Sequence, residues 1–345
     1  MGMIASVSYI AYLVATVISS YVSAITGPRF PIMLGGFAAA IGMGVIALSQ
    51  SVGILALGVF IAGTSPGFSY PPLSDAIVQA IESKSRSRVY SWINTGTSFG
   101  IIAAGPIALI SGSEWRFSWM VFALLALSAT CYNYFLMPGK VVDTLRESTL
   151  PSISLSWYLN KESIPLFVVA TIFGILTSVY WTFSVDLVAT NGGFSQLNIS
   201  IFWVLVGISG ICGGAAGFLV ESMGLSRVFR IYIILISISM VILSHFYDQL
   251  ALGFMSAFLF GASFISITAL LGIWSVYIFQ SRPSAGFGAT FFLLSLGQFI
   301  GPMLAGFVGE SYGLPVLFML SGLICCSLIP LAPRYDLRSM TPQEA

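Results

Sequence analysis

Residues 86–106 read RSRVYSWINTGTSFGIIAAGP, and residues 282–302 read RPSAGFGATFFLLSLGQFIGP. An arginine opens each stretch, Arg86 and Arg282, and a Gly-Pro pair closes it, Gly105-Pro106 and Gly301-Pro302; both elements recur at an offset of 196 residues. A third pair agrees to within one position. The Gly27-x-Arg29 turn and the Gly224-x-x-Arg227 turn have glycines 197 apart, and each turn joins two long apolar runs. An approximate internal repeat in a strongly apolar chain is the pattern of a two-halved secondary transporter.

Composition sets the solvent. Only 7% of the 345 residues are charged and 57% are apolar, with a mean hydropathy of +0.97. A water-soluble domain cannot hide that much apolar surface, so the chain is expected to lie in lipid. The net charge of +1 and the lack of a basic stretch argue against a nucleic-acid partner. Cys131, Cys212, Cys325 and Cys326 lie inside apolar runs and read as small buried hydrophobes rather than as disulfides or metal ligands.

A hydrocarbon core of about 30 Å needs about 20 apolar residues of helix. Eleven such runs occur, near 4–24, 30–49, 54–80, 89–111, 116–137, 164–190, 197–220, 228–247, 250–279, 285–309 and 313–332. They are continuously apolar, whereas barrel strands alternate, so the expected fold is all-α and polytopic. Lysine and arginine in short loops set the orientation. With residues 25–29 in the cytoplasm, twelve of the thirteen basic residues fall inside and only Arg116 outside. The C-terminus is then cytoplasmic and Met1 external. Subtracting the repeat from the run 164–190 places its partner before Met1, so a twelve-helix plan lacking its first helix is expected. Its parts are a five-helix bundle over 1–137, a charged cytoplasmic linker over 138–163 and a six-helix bundle over 164–345. The linker carries Lys140, Asp143, Arg146, Glu147, Lys161 and Glu162, with Pro138 and Pro151.

These residues resemble the major facilitator superfamily over nearly the whole chain. That superfamily has a cytoplasmic turn of the form G-x-x-x-D-R-x-G-R-[RK]. In the first half only Gly27 and Arg29 match, and Ala24 stands where the acid belongs; in the second half Gly217, Glu221, Gly224 and Arg227 match. The resemblance implies a cytoplasmic gate that draws on Gly27, Arg29, Glu221, Gly224 and Arg227. Trp115-Arg116 with Trp119 and Phe122, and the run Asn94–Gly100 leading to Gly105-Pro106, are also similar, and resemble most a poorly characterised prokaryotic branch. Two departures stand out. Residues 54–74 contain no arginine, where many proton-coupled members have one. The antiporter pattern G-x8-G-x3-G-P is absent from the family's fifth helix, where Trp92 and Ile101 stand, and appears in its eleventh as Gly288, Gly297 and Gly301-Pro302. Import and export both stay open. The resemblance implies a monomer in a bacterial inner membrane.

No enzyme constellation is visible. The single histidine, His245, sits beside Phe246, Tyr247 and Asp248 in an expected outer loop, without partners for a metal site or a triad. No phosphate-cradling Gly-rich loop with lysine is present. No cofactor or metal is expected.

Acids inside apolar runs are the better lead, because a carboxylate in the bilayer is tolerated only beside a partner or a cavity. Asp75 lies about 10 Å along a helix from Glu82. It follows Ser65-Pro66-Gly67-Phe68-Ser69-Tyr70-Pro71-Pro72, and these prolines predict a break or kink beside it. Asp75 reads either as a cavity group able to couple protons or as the partner of Arg86 or Arg88. Asp186 reads as a second proton-coupling candidate or as a wetted rim residue. Tyr70, Tyr180 and Trp181 supply aromatic surface with polar tips, which suits a half-wet cavity or plain packing. Asn94 and Gln298 bind solute or bond neighbouring helices. Gly105-Pro106 and Gly301-Pro302, with Pro71 and Pro72, are kink and close-packing positions.

The chain therefore reads as a secondary transporter of a small, neutral or weakly charged organic solute, with H+ or Na+ as the candidate coupling ion. The alternatives are a receptor or scaffold on a transporter fold, and a transporter inactive for want of its first helix.

Overall fold

A computed structural model describes residues 2–111, 114–139 and 158–334. Of the expected linker, Lys140, Asp143, Arg146, Glu147 and Pro151 lie outside the described residues, as do Arg338 and the C-terminus. Every described element is helical. The α-helices are α1 (Gly2–Thr26), α2 (Arg29–Ala47), α3 (Val52–Ala80), α4 (Ser83–Asn94), α5 (Gly96–Ser111), α6 (Trp115–Leu136), α7 (Ser163–Asp186), α8 (Gln196–Ile211), α9 (Ala216–Met223), α10 (Leu225–His245), α11 (Leu250–Ile278), α12 (Pro283–Tyr312) and α13 (Leu314–Cys326). A π turn (Leu187–Asn191) follows α7, and a 3₁₀ turn (Cys212–Ala215) joins α8 to α9.

Ten spans long and apolar enough to cross a membrane are present among the described residues. The eleventh apolar run, 89–111, is not one helix. It divides into α4 and α5 at Thr95, and Gly96 supplies the weak point, since glycine gains least from helix formation. Large apolar side chains face outward along the spans, among them Leu124, Phe135 and Phe307. In water such exposure would drive aggregation; in lipid it costs nothing. The same solvent explains the cysteines. Only Cys325 is buried, while Cys131, Cys212 and Cys326 are exposed and all four are free, which corrects the expectation that all are interior.

Of the break or kink expected beside Asp75, a break does not occur: α3 runs as helix from Val52 to Ala80 with Pro66, Pro71 and Pro72 inside it. Pro71 cannot donate to the carbonyl of Gly67, four residues back. That carbonyl instead accepts a hydrogen bond from the Ser19 hydroxyl of α1 at 2.6 Å. A neighbouring helix thus supplies the donor that proline removed, as buried membrane helices require.

Gly27 and Gly224 perform one task at repeat-related positions. Each turns the chain between consecutive helices at a positive φ, 80° and 86°, a region that glycine enters without strain.

By contact the chain groups into two compact units. One comprises Met1–Ser83, Ile110–Ile164 and Ser275–Leu296, and the other Lys84–Leu109, Pro165–Trp274 and Gly297–Ala345. Each unit draws on both sequence halves. In the first unit α3 packs on α1 and α2, and α2 on α6. Glycines make the approach close: Gly42 abuts Ala62, and Gly36 abuts Thr130. In the second, Gly207 and Gly210 of α8 lie on Ser98 of α5, and Gly297 and Gly301 of α12 lie on α7. Small residues at crossings are the usual means of helix association where lipid offers no hydrophobic driving force.

Candidate functional site

In the first unit Asp75 is the centre of a small polar cluster. Its Oδ2 accepts from the Ser23 hydroxyl of α1 at 2.6 Å, and its Oδ1 accepts from the backbone N–H of Ser284 at 3.1 Å. Ser284 is the second residue of α12, so this N–H is one of the donors a helix start leaves without an intrahelical partner. A carboxylate there is also favoured by the helix dipole. The carbonyl of Ser284 in turn accepts from Ser20 Oγ at 3.2 Å. Three helices, α1, α3 and α12, meet on this acid. Tyr70, five residues before Asp75, lies parallel to Phe291 of α12 with ring centroids 6.3 Å apart, and Phe291 stacks on Phe287 at 4.2 Å. Phe287 and Phe291 extend the aromatic surface beyond what the sequence singled out, and nothing distinguishes them there from the other 25 phenylalanines.

The second unit holds the remaining candidates. Tyr180 is fully buried and its ring lies 3.7 Å from that of Phe260, with Phe202 and Phe318 around it. Its hydroxyl shares a hydrogen bond with Ser256 at 3.0 Å, so both ends of the side chain are occupied. Trp181 stacks on Trp203 at 5.5 Å and meets Phe260 and Phe264 edge-on. Asn94 is 9% exposed and its amide donates to the Ile265 carbonyl and the Thr268 hydroxyl of α11, both at 2.7 Å. Gln298 is half-buried, and no described residue hydrogen-bonds its side chain. Asp186 is exposed at the end of α7 and accepts from Thr190 Oγ1 at 2.9 Å.

The basic and acidic gate candidates are placed as follows. Glu221 Oε2 pairs with Arg88 Nη2 at 2.5 Å, joining α9 to α4. Arg227 is exposed on the first turn of α10. Arg29 Nε donates to the Met137 carbonyl at 2.7 Å, and its guanidinium lies over the Tyr134 ring, so it binds α2 to the end of α6. His245 Nδ1 lies 2.7 Å from Ser244 Oγ. No group of three metal-ligating side chains occurs among the described residues. Outside the spans, burial pushes the Tyr158 phenol up, and Arg282 partly offsets that shift.

The sequence model of the Major Facilitator Superfamily matches residues 1–292. The chain belongs to that superfamily. Curated proteins give no match by sequence. Solved structures of the superfamily share its fold. The human organic anion transporter MFSD10 superimposes with a TM-score of 0.78 at 19% identity, covering 96% of this chain and 83% of that one. A substituted form of the Escherichia coli fucose:proton symporter FucP gives 0.72 at 16% identity, with 99% and 91% covered. FucP in its outward conformation gives 0.74 at 17% identity, with 99% and 90% covered.

Membership in the superfamily gives the Asp75 cluster a context. The superfamily's turn after α1 has its acid replaced by Ala24, one residue from Ser23, which itself binds Asp75. A carboxylate is therefore still present near this turn, contributed by α3. The second-half turn keeps its acid, and Glu221 spends it on Arg88 of α4.

Proposed function

We propose that the protein is a secondary transporter that moves a small organic solute across a bacterial inner membrane by alternating access, with the 1–137 bundle rocking against the 164–345 bundle. The observation that carries this reading is the Asp75 contact. Two hydrogen bonds at Ser284 tie first-half helices to the start of second-half helix α12, its N–H donating to Asp75 Oδ1 of α3 and its carbonyl accepting from Ser20 Oγ of α1, a link strong enough to hold one state and weak enough to break in each cycle. Two interhelical hydrogen bonds in a membrane amount to about 1–3 kcal/mol, within the range by which conformers of switching proteins differ.

The solute is neutral or weakly charged. In the first unit Tyr70 offers aromatic surface; in the second Trp181 offers aromatic surface and Gln298 an amide that the fold leaves uncommitted, with Tyr180 packed beside Trp181 on Phe260 and Asn94 fastening α4 to α11. A dianion would call for a basic group among these residues, and none is there. Asp75 is the candidate proton-coupling residue and Asp186 the weaker one, with Na+ as the other candidate ion. The C-terminus is cytoplasmic, and the protein acts as a monomer.

Purified protein in proteoliposomes, screened against a panel of neutral and singly charged metabolites under imposed pH and sodium gradients, tests the reading. Gradient-driven accumulation of at least one solute is expected. Solute-dependent changes in cysteine accessibility without flux would favour a receptor on this fold instead. If Asp75→Asn still concentrates solute on a proton gradient alone, Asp75 is not the coupling group.

A further inference from the structure

In the second unit, two neighbouring helical passes are interrupted at the same level. The α4–α5 pass breaks at Thr95. There the backbone N–H reaches back to both Ser91 and Trp92 at 3.3 and 3.2 Å, and the Thr95 carbonyl takes a short i+3 bond from Ser98 and a long one, 3.4 Å, from Phe99. The α8–α9 pass tightens to 3₁₀ over Cys212–Ala215, around Gly213-Gly214. The two interruptions touch: a Cβ on Gly214 would lie 3.2 Å from Thr95 Cγ2 and 3.2 Å from the Trp92 ring. Mid-helix 3₁₀ turns and loosened i→i+4 ladders are where helices bend.

Each side of this level is fastened across the two passes. On one side, α4 and α9 are joined by the Arg88–Glu221 ion pair, by Arg88 over the Phe218 ring at 5.8 Å, and by Gly217 against the backbone of Ser87 and Arg88. On the other, α5 and α8 are joined by Gly207 and Gly210 against Ser98 and Ile102. At the break itself Asn94 is anchored to α11 through Ile265 and Thr268, which makes a fixed fulcrum. Gly96 has nothing within 4 Å of where a Cβ would be; no packing demands a glycine there, and its effect is to keep the backbone loose.

We infer that α4 and α9 form a single arm that swings about the stacked breaks at Thr95-Gly96 and Gly213-Gly214 while α5 and α8 stay put. The device is a half-helix gate, distinct from rigid motion of one sequence half against the other, and it holds whichever solute is carried.

Spin labels at Ser222→Cys on α9 and Val168→Cys on α7, with the four native cysteines replaced by alanine, report the arm by double electron–electron resonance in lipid nanodiscs. Both labels lie in the second half, so rigid rocking of the halves leaves their distance fixed. An eight-residue arm is about 12 Å long, and a swing of about 20° moves its end by about 4 Å, so a distribution spread over about 4 Å is expected. Gly96→Ala, in a different helix from either label, narrows that distribution to one peak, because alanine stiffens the coupled break. Gly100→Ala is equally open to a methyl group but lies within regular α5, and leaves the spread unchanged. Arg88→Gln uncouples the arm, and Gly96→Ala then no longer narrows the Ser222–Val168 distance. A single narrow distance in the parent overturns the inference, and so does Gly96→Ala behaving like Gly100→Ala.

Discussion

Arg29 and Arg116 tie the same two helices together from opposite ends. Arg29 opens α2 and donates to the carbonyl of Met137, just past α6, at 2.7 Å; Arg116, in the first turn of α6, donates to the carbonyl of Ser49, just past α2, at 2.9 Å. Each guanidinium meets carbonyls that a helix terminus leaves unsatisfied, at the negative end of its dipole. One contact is expected on each face of the membrane, so α2 and α6 cannot slide along each other without losing both. Arg29→Ala is expected to cost about 1.5–3 kcal/mol, the range for a hydrogen bond from a charged group. Arg116→Ala, whose side chain is exposed, costs less, about 1 kcal/mol or below. Thermal unfolding in a lipid-detergent mixture reads both, and equal losses would contradict the difference in burial.

The Ser19–Gly67 hydrogen bond makes a sharper prediction, because its reason lies four residues away at Pro71. Ser19→Ala leaves the Gly67 carbonyl without a donor and is expected to destabilise by about 1 kcal/mol. Pro71→Ala returns a backbone N–H at the position that can reach that carbonyl. In the Pro71→Ala background, Ser19→Ala should cost close to nothing. A double-mutant cycle on unfolding free energy measures the coupling; additive losses would show that Ser19 does not compensate for the proline.

The same region shows what the sequence could and could not reveal. Eleven apolar runs, their all-helical character and the turns at Gly27 and Gly224 follow from hydropathy and periodicity, which depend on local chemistry. The state of α3 did not follow. Three prolines predict a break or a kink, and that the helix stays unbroken at Pro71 draws on a donor, Ser19, from another helix. The true interruptions, at Thr95 and Cys212–Ala215, carry no proline at all and are marked only by glycines in a chain that has 35 of them. Asp75 was legible as an acid in need of a partner. That the start of α12 is one such partner depends on a contact across about 200 residues, which no local pattern encodes.

That contact predicts a shift in conformational balance. Asp75→Asn keeps an oxygen for the Ser284 N–H but loses the charge that favours a helix start and the second acceptor for Ser23. A loss of about 1.4 kcal/mol corresponds to a tenfold change in an equilibrium. Phe287→Cys, one turn into α12 at a position 5% exposed, is expected to react with a membrane-permeant maleimide roughly tenfold faster in the Asp75→Asn background. Unchanged labelling would mean that the acid does not hold the start of α12 closed.

Asn94 and Gln298 are both uncharged amides in apolar helices, and the structure separates them. Asn94 spends its amide on two acceptors of α11, so Asn94→Ala removes two interhelical hydrogen bonds and is expected to cost about 1–3 kcal/mol of stability. Gln298 has no described partner to strand, so Gln298→Ala should unfold at the parent temperature. If its amide serves the solute, the loss appears in transport instead, as a KM raised about tenfold with the maximal rate little changed. That split follows because removing an interaction made equally in all bound states weakens binding without slowing the cycle. Flux against solute concentration, measured beside thermal unfolding for both variants, decides the matter. A destabilised Gln298→Ala with unaltered KM would return Gln298 to the role of helix glue.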